Sequence, residues 1–481
     1  MATKLQQISE LAKSLSQKDN VSRDLMSLLD SFKLSHWLKT LKMEKRSGVK
    51  SIDLLKCLLI FRLCGESIYM SYKHKFGNII DGGKNQFYRF LVRKNMNWRQ
   101  LLLHTVASFL RIVKEKSENE QVAVWKYAIL DDTTLPKTGL HMEGITKVFD
   151  HTTHSFVLGY KLLLLALSDG ISTLPVDFSL HSENHKDGTG GLTKKQLKNR
   201  FKVKRDKKDC IKERSNELNQ KKTDVALKML KNMLKQGLQP TYLLMDKWFC
   251  LGTFISEVRN ISKKPIHIIT LLKDKRHKFD INGKQMTTDM YLARHQRMQQ
   301  CKKNKCRYLR FCSVVKDVPV QLFIVKYGNS KNYEVLLTTD LTLSFNQTFE
   351  HYLHRWSIEV LFKECKQHLA LGSCQSRHLN AQIADCTLVF IGYCIIALRK
   401  RFDDYESWGA AFRCLTKEML SLTLIERLMP VIQQLIETIL SLFDTTLNEF
   451  MPKILANKEV EIQILNFIEL NQSIKEHEIL Q

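Results

Sequence analysis

The chain has 481 residues, 44% of them hydrophobic, which excludes a largely disordered polymer and is too long for a single small core. Its 75 Lys and Arg against 49 Asp and Glu leave a formal charge of +26. Such an imbalance self-repels unless an anionic partner is near, and nucleic acid is the usual one. The opening MATKLQQISELAKSLSQKDN holds no apolar core of signal-peptide length. The longest apolar run, Leu388–Leu398 interrupted by Gly392, is too short to cross a bilayer. The expectation is a cytoplasmic protein with no membrane partner.

Only 19 Gly and 7 Pro punctuate the chain, so long helices are expected. Residues 1–120 read as wholly helical, with apolar residues at helical spacing through Leu54, Leu55, Leu58, Leu59 and Leu63, then Leu101, Leu102, Val106, Phe109 and Leu110. Basic residues are interleaved: Lys39, Lys42, Lys45, Arg46, Lys50, Arg89, Arg93, Lys94 and Arg99. This region is a candidate DNA-binding unit, the plain alternative being a helical cap with solvated cations.

From 121 to 275 the texture changes. VAVWKYAILDD, SFVLGYKLLLLALSDG and ISTLPVDFSLHS read as three successive buried strands. A polar, basic stretch, His185–Thr223, is long for a connection and is expected to touch DNA. TDVALKMLKNMLKQG is a helix capped at Thr223 or Asp224 and stopped by Gly237. TYLLMDKWF and PIHIITLLK are two further buried strands, giving a mixed α/β order. Residues 276–345 alternate short strand-like pieces and read as a separable β-rich insertion. Residues 346–395 turn helical, and 396–481 form a helical C-terminal region. The tightest cysteine group, Cys301, Cys306 and Cys312, lacks the paired spacing of a zinc site, so free thiols are expected.

Acids at the ends of buried strands stand out. Asp131 and Asp132 close YAILDD, and Asp246 closes YLLMD. A charge at the mouth of an apolar sheet costs several kcal/mol unless compensated, and a divalent cation with carboxylate ligands compensates well. The bland alternative is an aspartate capping the next turn. A third acid lies in HYLHRWSIEVLFKECKQHLAL. As a helix, this segment gathers Tyr352, Arg355, Glu359, Lys363 and Lys366 on one face about 80° wide. His354, Ile358, Leu361, Cys365 and Leu369 fall on a second face that can pack on the sheet.

Tyr352, Arg355, Glu359 and Lys366 match Y-x2-R-x3-E-x6-K, and the chain resembles in this the insertion-sequence-four family of bacterial DDE transposases. LDDTT and MDKWF resemble that family's first and second catalytic segments, in the right order. The resemblance covers about residues 120–380. It implies a ribonuclease-H-like catalytic core interrupted by the β-rich insertion and flanked by helical termini. It implies that Asp132, Asp246 and Glu359 are catalytic and hold two Mg²⁺ or Mn²⁺ ions. Adjacent strand residues point to opposite faces, so only one of the two neighbouring acids can serve, and the family pattern puts it directly before the Thr pair. Tyr352, Arg355, Lys363, Lys366 and Trp356 are the implied DNA contacts. For Trp356 and Trp248, core packing competes with stacking on a displaced base. The implied substrates are the element's terminal inverted repeats and target DNA, held by a homodimer, with the helices around Leu422–Phe443 as one candidate contact. The competing functions are a structure-specific nuclease on the same fold and a domesticated DNA-binding protein that no longer cuts.

Overall fold

The computed structural model describes residues 28–414 apart from 66, 73–82, 117–125, 184–188, 296, 329–331 and 404. These all fall within one compact unit, Met1–Lys417, and the expected helices around Leu422–Phe443 lie outside the described residues. The described part of 1–120 is helical: α1 Leu34–Thr40, α2 Ser51–Leu63, α3 Ile68–Ser71, α4 Asn85–Leu91 and α5 Trp98–Lys116. Helix α5 packs on strand β4, Thr173–His181. Two of this region's basic residues are engaged within the fold. Arg93 caps the carbonyls of Met43 and Glu44, and Arg99 is buried among carboxylates.

Ahead of β4 come β1 Tyr127–Pro136, β2 Thr146–Asp150 and β3 Ser155–Ser168. After it come α6 Lys194–Lys198, α7 Lys212–Glu217, α8 Lys222–Lys235, β5 Tyr242–Met245, α9 Gly252–Arg259 and β6 His267–Leu271. β3 pairs antiparallel with β1 and with β4, whereas β5 runs parallel to β1 and to β6. Four antiparallel strands, β1 to β4, followed by two parallel ones make the mixed α/β core expected from the strand-and-helix order. Helix α8 starts at Lys222, just before the expected cap. It ends as expected, with Gly237 in a left-handed conformation at φ 76° and Leu238 N–H returning to the Met233 carbonyl.

The rest of the chain supplies β7 Phe279–Ile281, β8 Lys284–Met286, α10 Thr288–Arg294, β9 Gln299–Cys301, β10 Cys306–Val315, β11 Val318–Tyr327 and β12 Glu334–Thr338. The stretch is β-rich, but β9–β12 do not stand apart. β12 pairs antiparallel with β6, so these four strands continue the core sheet. Sheet edges offer unpaired N–H and C=O groups, and β12 covers the one at β6. Helices α11 Phe345–Leu353, α12 Ser357–His368 and α13 Leu379–Phe402 follow. α13 has the length and apolarity of a membrane span, yet its apolar window is wholly buried in the fold. A helix apolar all round belongs in a core. Its buried Asp385 is paired with Arg62 of α2, which ties the N-terminal helices to it.

Gly159 marks where β3 crosses between partners, opposite Pro136 of β1 and Thr146 of β2. A Cβ there would clash with the Leu135 carbonyl oxygen and stand 3.2 Å from the Pro136 Cα. Both are backbone atoms that cannot swing aside. Gly159→Ala should therefore destabilise the protein by about 1–3 kcal/mol, seen as a lower urea midpoint. An unchanged midpoint would mean that β1 and β3 are free to separate there.

Candidate active site

β1 does not stop at its acids. It continues to Pro136, so Asp131 and Asp132 sit in mid-strand, each half-buried. Their side chains therefore leave opposite faces of the sheet. On one face Tyr127 precedes Asp131 by two strand repeats, and its ring stacks on His354 at 4.7 Å while its hydroxyl meets His351 Nδ1 at 2.8 Å. That face is covered by α11 and α12. Asp131 Oδ2 accepts from Arg355 Nη1 at 3.0 Å, and Arg355 Nη2 donates to Glu359 Oε1 at 2.7 Å. Two residues on, Thr133 Oγ1 accepts from Lys366 Nζ at 2.7 Å.

Asp132 faces the other way. Its Oδ2 accepts from Lys222 Nζ at 2.7 Å, and Lys161 Nζ lies 3.8 Å from Oδ1. Asp131, rather than the expected Asp132, is the neighbour that meets the signature residues. The reason is strand alternation together with the side on which α12 packs.

Helix α11 starts with a capping box between Ser344 and Gln347. The expected single helix is interrupted by a 3-10 turn, His354–Trp356, before α12. The tighter turn leaves Arg355 and Glu359 paired at i,i+4 and sets the Arg355 guanidinium 5.8 Å from the Tyr352 ring. The apolar face is as expected: Ile358, Leu361, Cys365 and Leu369 are fully buried. Lys363 is exposed. Trp356 and Trp248 are 61% and 41% exposed, so neither packs in the core.

Asp246 follows β5 directly and caps a 3-10 turn, its carboxylate accepting from the Trp248 N–H at 3.1 Å. Its charge reaches the same cluster. Burial first, then the carboxylates of Asp132 and Asp246, push Asp131 up to about 7 against the opposing pull of Arg355. Tyr352 is raised too, chiefly by burial. Crowded carboxylate oxygens of this kind are hard ligands, and a divalent cation relieves their repulsion. Carboxylate oxygen is the donor type that Mg²⁺ or Mn²⁺ takes. Among the described residues, however, no group of three His, Cys, Asp or Glu side chains is set to hold a metal, and the Arg355 guanidinium bridges Asp131 and Glu359 in that role. The residues that sequence reasoning missed are Lys222, Lys161 and Thr133. Only the threonine pair after the acids hinted at any of them.

Two protein-family models match the chain. The DDE superfamily endonuclease model matches residues 77–286, which span Asp131, Asp132 and Asp246. The transposase DDE domain model matches residues 216–395, which span Asp246 and Glu359. No curated protein matches the chain.

Proposed function

We propose that the chain, which matches DDE endonuclease and transposase domain models, is a cut-and-paste transposase of the insertion-sequence-four type. It binds the terminal inverted repeats of its element, cleaves the ends, and joins the 3′ ends to target DNA, acting in the cytoplasm as a dimer on DNA. The observation that carries this reading is the Asp131–Arg355–Glu359 bridge, which joins an acid of the central strand to the acid of the signature helix.

Asp131, Asp246 and Glu359 are the proposed ligands of divalent ions, which when bound activate an attacking hydroxyl and stabilise the leaving oxygen. The protein's own residues do the rest. Arg355 orients two of the three carboxylates and takes its own position from the Tyr352 ring. Lys366 is held at Thr133, two residues from Asp131 on the same strand face, where a scissile-strand phosphate would need charge. Exposed Lys363 adds a second phosphate contact.

The test is cleavage of a plasmid carrying the gene's native flanking DNA, with Mg²⁺ and with EDTA. Cleavage at matching inverted ends only with Mg²⁺ is expected. Cleavage indifferent to EDTA would overturn the reading, and sequence-specific binding without cutting would replace it with a domesticated DNA-binding protein. Lys363→Gln should weaken end binding about equally for all end sequences and flatten the log–log salt dependence by about one unit. An unchanged slope in a salt titration would remove Lys363 from the interface.

A further inference from the structure

Trp248 is open to solvent although it lies between a half-buried acid and the fully buried Phe249. Covering such a ring normally stabilises a fold. Its backbone is pinned by Asp246, and its indole meets Phe249 edge-on at 4.9 Å and 80°. Two ammonium groups flank it. Lys222 Nζ lies 5.1 Å from the ring centre, and Lys273 Nζ lies 5.4 Å from it. Lys222 is itself held by Asp132 at 2.7 Å. Asp132 in turn faces Lys161, which is 3.8 Å away and anchored on Thr134 at 3.0 Å.

An exposed indole beside two cations matches one chemistry well. A flat base can lie on the ring while the phosphates on either side meet the ammonium groups. A peptide or a lipid chain would ask for more apolar surface than one ring offers.

We propose that Trp248, Lys222 and Lys273 form a ledge that takes one nucleotide of a DNA strand beside the acids. Asp132 is the positioning residue that holds Lys222 on that ledge, and it is not a metal ligand. This rests on the DNA-cutting reading above. It also accounts for two acids in tandem, since strand alternation sends one to each face: Asp131 toward Arg355 and Glu359, Asp132 toward the ledge.

The test is fluorescence anisotropy of a labelled oligothymidine of about twenty nucleotides, in EDTA so that metal plays no part. Trp248→Ala and Lys222→Gln should each lower affinity about tenfold, and Trp248→Phe should restore most of it. Asp132→Asn should match Lys222→Gln, and the double variant should be no weaker than either single one. Lys284→Gln, an exposed charge on the small β7–β8 hairpin, should change nothing. Wild-type affinity in the Trp248→Ala protein, with an unchanged melting temperature, would overturn the ledge. Wild-type oligothymidine binding by Asp132→Asn together with lost plasmid cleavage would return Asp132 to the metal-binding acids. Failure of the DNA-cutting reading itself would appear separately, as wild-type protein that never cuts the plasmid.

Discussion

Asp131→Asn and Glu359→Gln are each expected to lower strand cleavage about a thousandfold or more while leaving end binding nearly intact. A metal clamp on a phosphoryl group supplies several kcal/mol of transition-state stabilisation, and each 1.4 kcal/mol or so is tenfold in rate. Removing one of its ligands forfeits much of that. Asp131 and Glu359 are partners of the same guanidinium, so each substitution also frees Arg355 from one of its two carboxylates. Phosphate affinity should then hold or rise slightly, because the change removes negative charge. Measured by plasmid cleavage beside a gel-shift titration, lost cutting with retained binding is the expected pair of results. Near-normal cutting by either variant would remove that acid from the reaction.

The second large effect concerns stability. Glu217 is fully buried at the end of α7 and lies among Arg99, Arg214 and Lys228. It accepts from both terminal nitrogens of Arg99 at 2.9 Å and from Ser179 at 3.1 Å. Asp177 of β4 shares the two arginines. Truncating one partner of such a cluster leaves uncompensated buried charge, at a cost of about 3–5 kcal/mol. Glu217→Ala should therefore shift the urea midpoint strongly with little change in slope. A loss below about 1 kcal/mol, the range of exposed pairs, would mean that the cluster is solvated.

The same residue sets a pH dependence. Burial alone would raise the Glu217 carboxyl, but Arg214 and Arg99 outweigh it and hold it down at about 2, from an ordinary 4.5. A carboxyl depressed by folding stabilises the folded state above its unfolded value and loses that contribution as pH falls through the folded one. The wild-type melting temperature should drop steadily from about pH 4.5 toward 2, and the Glu217→Ala protein should show a shallower drop. Equal slopes for the two proteins would assign the acid sensitivity elsewhere.

Much of the core was legible from local pattern. Unbroken apolar runs such as LLLLAL, residues 162–167, marked strands covered on both faces, because a central strand has no solvated side to alternate with. The apolar stripe Ile358, Leu361, Cys365 and Leu369 marked the buried face of α12, since helical spacing survives in sequence. The spacing of Tyr352, Arg355 and Glu359 likewise brings three polar side chains together. What sequence could not decide was anything that depends on which neighbour lies across a face. Asp131 and Asp132 are chemically identical neighbours, and only the side on which α12 packs separates the one that meets Arg355 from the one that meets Lys222. Arg99 looked like a surface cation among others until β4 and α7 brought Asp177 and Glu217 to it. The strands of 276–345 looked detachable until β12 paired with β6. Local hydropathy and spacing are properties of one segment, so the sequence carries them by itself. Strand parity, charge pairing and edge pairing are relations between distant segments, and only the tertiary structure decides them.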